Sequence, residues 1–196
     1  MALIPATLSA SLLAAFSPPN LWPAVATQFV SAIDMYVLTG TTVGIGSAVV
    51  LTPPLSVPVT MPYAVTGTIV TTAGLSALTI AANTVFSVTN PTWVGVGTTL
   101  ANAISTYLVA SVITITAVLP FVGTGVGVCN PVATLPVLIS TLETLFISPT
   151  NTYAMIADLM ATAIDTFIKS AIITSVGDVG TVPPYSWIGA SSGSIT

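Results

Sequence analysis

Tyr107 to Val128 reads YLVASVITITAVLPFVGTGVGV, and the fold turns on what this stretch is. It carries no charge and is long enough to cross a bilayer as a helix. Pro120 and the series Gly123, Gly125, Gly127 break its second half. No Lys or Arg flanks it, so it lacks the positive-inside signal and an interfacial anchor. Working outward, no charged residue occurs from Met35 to Leu142, a run of 108 positions. The whole chain is 3% charged, against about 25% in an ordinary soluble domain. Charge keeps free monomers soluble and apart. A chain without it is surrounded by lipid or by other protein. Thr, Ser, Gly and Pro interrupt every long apolar run, and Trp22, Trp93 and Trp187 sit near turn signals rather than bracketing one span. The reading therefore favours an assembled protein. A small integral membrane protein built of helical hairpins, and hence a membrane location, is the alternative.

The rest of the composition narrows the function. The chain has 196 residues, 54% of them apolar, with a net charge of −4. Lys169 is its one basic side chain, too few for a nucleic-acid surface. Cys129 is alone, which excludes an internal disulfide and a cysteine metal site. It reads as a buried inert thiol, with a bridge between identical subunits as the other option. There is no His, the commonest general base and metal ligand. The N-terminal run Met1–Pro19 has no basic segment and holds Pro5 early in its apolar stretch, so it reads as part of the fold rather than a signal peptide.

The chain also repeats itself. Phe16-Ser17-Pro18-Pro19-Asn20 returns as Ile147-Ser148-Pro149-Thr150-Asn151, with a weaker copy at Phe86-Ser87-Val88-Thr89-Asn90. Each is followed at nearly constant spacing by a related block: Ala32-Ile33-Asp34-Met35-Tyr36, Ala103-Ile104-Ser105-Thr106-Tyr107 and Ala163-Ile164-Asp165-Thr166-Phe167. The first and third copies share Pro53-Pro54 and Pro183-Pro184, then Gly67-Thr68-Ile69 and Gly193-Ser194-Ile195. Three units follow: 1–75, 76–133 (central and uncharged) and 134–196.

Each unit is predicted as helix, turn, longer helix, extended tail. In the third, a helix over 135–146 precedes a turn, and Thr150 or Asn151 caps a second helix over about 152–173. Ile156, Leu159, Met160, Ala163, Ile164, Phe167 and Ile168 make its apolar face. Asp158, Thr162, Asp165 and Lys169 form a solvated or salt-bridged stripe, with Asp165 and Lys169 paired at i, i+4. In the first unit Asn20 caps a helix over about 21–38, which Gly40 stops. The middle unit's second helix, about 96–115, has no polar face and is expected to be buried on all sides. The Val/Thr/Gly/Pro-rich tails, about 41–75 and 177–196, read as extended arms crossing onto neighbouring subunits. The expected class is thus mainly α with extended or β arms, in about three degenerate helix–turn–helix repeats.

No catalytic, cofactor-binding or metal residue is expected. Asp158 and Asp165 lie about 10 Å apart along a helix, wide for one ion, with no other chelator at useful spacing. Gly123-Thr124-Gly125-Val126-Gly127 has the wrong spacing for a nucleotide loop. No Ser or Thr has a His or nearby Lys to activate it. The expectation is a protein that is not an enzyme and takes no small-molecule substrate.

The opening ATLSASLLAAF (Ala6–Phe16), the FSPPN turn, the Ala32-Ile33-Asp34-Met35-Tyr36 block, the Pro-Pro segment and the Gly193-Ser194-Ile195-Thr196 end resemble virion structural proteins of tailed, contractile-tail bacteriophages, including those infecting cyanobacteria. The resemblance implies a virion component, in tail or baseplate rather than capsid shell, assembled from the host cytoplasm. Its partners would be other copies of itself and other virion proteins. The middle unit lacks the Pro-Pro segment and departs from the pattern there.

Overall fold

The computed structural model describes residues 2–17, 22–51, 59–70, 73–87, 93, 95–148, 150–182 and 185–196. The elements run α1 (Pro5–Phe16), α2 (Trp22–Thr39), β1 (Thr41–Leu51), β2 (Val59–Val70), α3 (Leu75–Val85), α4 (Val96–Val109), β3 (Val112–Ala117), β4 (Val122–Asn130), α5 (Leu135–Ile147), α6 (Tyr153–Lys169), β5 (Ile172–Val182) and β6 (Tyr185–Ile195). The order helix, helix, strand, strand thus occurs three times. The six strands form one closed antiparallel barrel in chain order, β6 returning to pair with β1. The helices form a second ring: each packs on the next, and α6 closes on α1.

This corrects the expected fold class. The molecule is a closed six-stranded barrel carrying six helices, not a helix–turn–helix repeat protein with extended arms. The tails do not leave the chain. They are the hairpins β1–β2 and β5–β6, which pair with each other along the β1–β6 seam. The third hairpin, β3–β4, takes up most of Tyr107–Val128, the segment weighed as a membrane span, and runs on to Asn130. No helix among the described residues is long and apolar enough to cross a membrane.

The barrel's width explains its sequence. A barrel of eight strands is just wide enough to be filled by side chains, and diameter shrinks with strand number. Six strands leave less room, so many inward positions are glycine. Gly44 faces Gly193 across β1–β6, and Gly123 faces Gly180 across β4–β5. A Cβ on Gly44 would stand 2.3 Å from the Ser192 carbonyl oxygen, and one on Gly180 would stand 2.1 Å from that of Val122. In β4 the glycines therefore point in, while Val122, Val126 and Val128 point out and are exposed. The Gly-x-Gly-x-Gly series is a strand packed against its neighbours.

The helices match expectation in place but not at every edge. The chain leaves α4 at Val109 and α6 at Lys169, so Val112–Ile115 and Ile172–Ile173 belong to strands. α4 is not buried on all sides either: Thr99, Asn102, Thr106 and Val109 are exposed. α6 is capped by Thr152, whose side chain accepts from Met155 N, rather than by Thr150 or Asn151; the Asn151 amide instead donates to Leu145 O at 3.0 Å. On α6, Leu159 faces solvent. Gly40 follows α2 without a left-handed backbone; a side chain there would crowd Ile195 and Val37 O, both 3.1 Å from its Cβ. The proposed cap Asn20, the turn residues Pro18, Pro19, Asn90 and Pro149, and the pairs Pro53-Pro54 and Pro183-Pro184 lie outside the described residues.

Burial sets the register between units. Leu8, Leu12 and Ala15 of α1 correspond to Leu78, Ala82 and Val85 of α3 and to Leu138, Leu142 and Leu145 of α5, all buried. Phe16 and Phe86 therefore correspond to Phe146, not to Ile147. Ile33, Ile104 and Ile164 are equivalent on the longer helices, and all are fully buried in one continuous core with Phe29, Leu100 and Met160. The same core continues into the barrel through Ile69, Cys129 and Ile195. Cys129 thus takes the place that isoleucine fills in the other two hairpins. Burial pushes its thiol up to about 11. Little thiolate exists at neutral pH, and the thiolate is the reactive form. Alkylation by iodoacetamide at pH 8 should therefore follow unfolding; rapid labelling of the native protein would contradict this placement.

Candidate functional site

The described residues gather their acids into small hydrogen-bonded clusters. The first lies among the long helices. Tyr107 of the second unit donates to Asp34 of the first at 2.6 Å, and Tyr36 of the first donates to Asp165 of the third at 2.5 Å. The next member of this cycle would join the third unit to the second. There the equivalent positions hold Phe167 and Ser105: hydroxyl and carboxylate are missing together. Acid and phenol thus occur as pairs, because a buried carboxylate without a donor is costly. Asp165 also meets Lys169 at 2.9 Å, and Lys169 reaches back to Leu3 O at 3.2 Å. The i, i+4 pair exists, but Asp165 is buried rather than on a solvated stripe. Burial first, then the Asp165 carboxylate, raises the Tyr36 hydroxyl well above its ordinary value, so it remains a donor at physiological pH. Asp158 is elsewhere, exposed and accepting from Ser9 of α1. The two aspartates weighed as a metal pair are therefore not brought together. Among the described residues no group of three or more His, Cys, Asp or Glu could hold a metal ion.

The second cluster fills the barrel. Asp178 is 1% exposed and accepts from Tyr63, Ser175 and Ser191. It points inward because of a bulge: the β5–β6 register shifts between Val176 and Asp178, and Gly177 takes φ +82°. One extra residue in a strand re-aims the side chains after it. Without the bulge Asp178 would face outward beside Val176. Around it Tyr63, Trp187 and Phe121 pack with ring centroids 4.8 to 5.6 Å apart. Glycines make the space: a Cβ on Gly46 would stand 2.3 Å from Tyr63, and one on Gly125 would stand 1.8 Å from an Asp178 oxygen. Burial, then Asp178, holds the Tyr63 hydroxyl above its ordinary value. With every hydroxyl committed to the carboxylate, the cluster pins three strands in register. Sequence reading missed it. The signal was an acid inside a Val/Thr/Gly run, directly after a glycine.

The third cluster joins helices. α4 begins at Gly95 with no side-chain cap of its own. Glu143 of α5 supplies one, accepting from Thr98 N at 3.0 Å, Thr98 Oγ1 at 2.8 Å and Gly95 N at 3.3 Å. A carboxylate suits the positive end of a helix. The helices also touch closely there, since a Cβ on Gly97 would stand 2.3 Å from Glu143 N. Desolvation raises the Glu143 carboxyl, but the hydrogen bonds from Thr98 and Gly95 outweigh it and hold the group below its ordinary 4.5. A depressed folded value stabilises above the unfolded value and is lost as pH falls through the folded one. Stability should therefore decline on acidification below about pH 4.5, and Glu143→Gln should flatten that decline in denaturant titrations. An unchanged acid limb would remove Glu143 from this role.

Outside, the barrel is uncharged. No described strand residue facing outward is acidic or basic, and Ile45, Val126 and Val176 are among the exposed apolar side chains. No known protein family, curated protein or solved structure matches this chain.

Proposed function

We propose that this chain is a non-enzymatic structural subunit of a protein assembly. Following the resemblance noted in its sequence, the assembly is a tailed-phage virion, with tail or baseplate the favoured position. The observation that carries the reading is the outer wall of the barrel. Val, Ile, Thr, Ser and Ala make up most of it, with Met61, Pro62 and Asn130 also exposed, and the described wall offers no charge to keep neighbours apart. Exposed apolar patches of this kind mark contact surfaces. The interior supports the same role: Asp165 and Asp178 are tied to tyrosine and serine hydroxyls, an arrangement that stiffens a building block.

The test is to express the chain without detergent, remove membranes by centrifugation and weigh the soluble fraction by light scattering. A defined oligomer, or co-sedimentation with virion proteins, supports the reading. A monodisperse monomer at the highest soluble concentration overturns it.

A further inference from the structure

The helix ring has two ends. At one, α2, α4 and α6 lead into β1, β3 and β5. At the other, α1, α3 and α5 finish and the longer helices begin, and there the three units bring aromatic residues together. The chain has 6 Phe, 5 Tyr and 3 Trp, and two positions at this end hold one of them in every unit. Phe16, Phe86 and Phe146 are the first set. Trp22, Trp93 and Tyr153, each eleven residues before the buried Ile33, Ile104 and Ile164, are the second. Phe16, Phe86, Trp93, Phe146 and Tyr153, with Ile156, border a cavity of about 290 Å³. Phe86, 2% exposed, is its floor, with ring centroids 5.5 Å from Phe29 and 6.0 Å from Phe16. Trp93 of the second unit and Phe146 of the third stack 5.5 Å apart, 4° from parallel, and form a wall. Tyr153, 55% exposed, stands at the mouth. Protein interiors leave few voids larger than a water molecule, so a space of this size where three units meet calls for an occupant.

We propose that this pocket binds a small, uncharged, planar molecule of two fused aromatic rings. Three observations select that class. The first is size. An apolar cavity of about 150 Å³ holds one benzene ring, and this one has nearly twice the volume. One turn of a partner helix, about 10 Å across and about 5.4 Å high, displaces roughly 400 Å³ and does not fit. The second is charge. None of the six lining side chains is ionic. The acids next along α5 and α6, Glu143 and Asp158, are bound to Thr98 and Ser9. Helix C-termini and N-termini meet here in equal number, so their end charges offset. A charged ligand would lose its hydration without gaining a counter-charge. The third is the lining itself. Aromatic walls hold a flat ring by offset stacking and edge-to-face contact, and the Tyr153 hydroxyl can serve a single polar group on the ligand. The lining offers grip without chemistry, so the ligand is held unchanged. The pocket works alike in a free or an assembled chain.

The test titrates the full chain with indole by calorimetry and follows thermal unfolding. Indole is expected to bind one to one and to raise the unfolding midpoint, because a ligand of the folded state stabilises it. Ile156→Trp fills the cavity and should weaken binding by roughly tenfold or more. Thr114→Ala, exposed on the barrel wall, should leave it unchanged. If Ile156→Trp does not fold, Tyr153→Leu at the exposed mouth takes its place and should also weaken binding, and nuclear Overhauser contacts should join bound indole to the Phe86 and Phe146 rings. No binding up to the solubility of indole, or binding that these changes leave intact, overturns the proposal. Tetramethylammonium bound in preference to indole overturns the neutral class and makes the pocket a cation–π cage. Decanol bound as tightly as indole overturns the need for a flat ring. A monomeric chain that binds indole overturns the assembly reading and leaves this one standing.

Discussion

A Gly125→Val chain is expected to lose about 3–5 kcal/mol of stability, a large share of the roughly 5–15 kcal/mol that holds a domain folded. The position lies inside the barrel, and a Cβ there would stand 1.8 Å from the Asp178 carboxylate and 3.1 Å from Ser175 Oγ. The carboxylate cannot step aside, because Tyr63, Ser175 and Ser191 hold it. Overpacking alone costs about 1–3 kcal/mol; displacing a buried acceptor adds about 1–3 kcal/mol. Gly177→Ala is the contrast. Its added methyl meets nothing within 4 Å, so the cost is only that of a non-glycine residue at φ +82°, about 1–2 kcal/mol. Denaturant midpoints at constant slope would measure both. If the two variants lose equal stability, crowding inside the barrel is not what keeps residue 125 small.

Asp178→Ala should cost about as much, about 3–5 kcal/mol, for the opposite reason. It creates space but strands three hydroxyls without their acceptor in a buried, mostly apolar interior. Each lost partner is worth about 1–3 kcal/mol, and the losses overlap because the groups share one oxygen pair. Asp178→Asn, which keeps one acceptor oxygen, should fall between. Asp158→Ala is the surface comparison: exposed, with Ser9 as its partner, it should stay within about 0.5 kcal/mol of wild type. A loss below about 1 kcal/mol for Asp178→Ala would mean that water replaces the carboxylate at little cost.

The helices were legible because their apolar residues recur at three and four spacing and face one core. The strands were not, and the reason is the narrow barrel. A half-buried strand normally announces itself by apolar residues pointing in and polar ones pointing out. In β4 the inward residues are Gly123, Gly125, Gly127 and Cys129, and the large apolar ones face out. The alternation is one of size, not of polarity, and it reads as a broken membrane span. The acid–phenol pairs were half legible. The Ala-Ile-Asp block showed as a repeat, but its pairing runs between units, over 73 positions for Tyr107 with Asp34 and 129 for Tyr36 with Asp165. Asp178 needed the bulge at Gly177 to turn inward, and periodicity cannot anticipate a one-residue slip.

The seam between β1 and β6 imposes an order on synthesis. Thr41 N donates to Thr196 O at 3.3 Å and Thr196 N donates to Thr41 O at 2.8 Å, a pairing across 155 positions. While the chain emerges from the ribosome, β1 and then each newest strand wait as bare edges, and bare edges recruit other chains. The ring can shut only after β6 has been made. A ribosome that stalls before β6 would leave a sticky, open sheet, so cells making this protein in quantity have reason to translate β6 quickly or to keep a chaperone beside the exit tunnel.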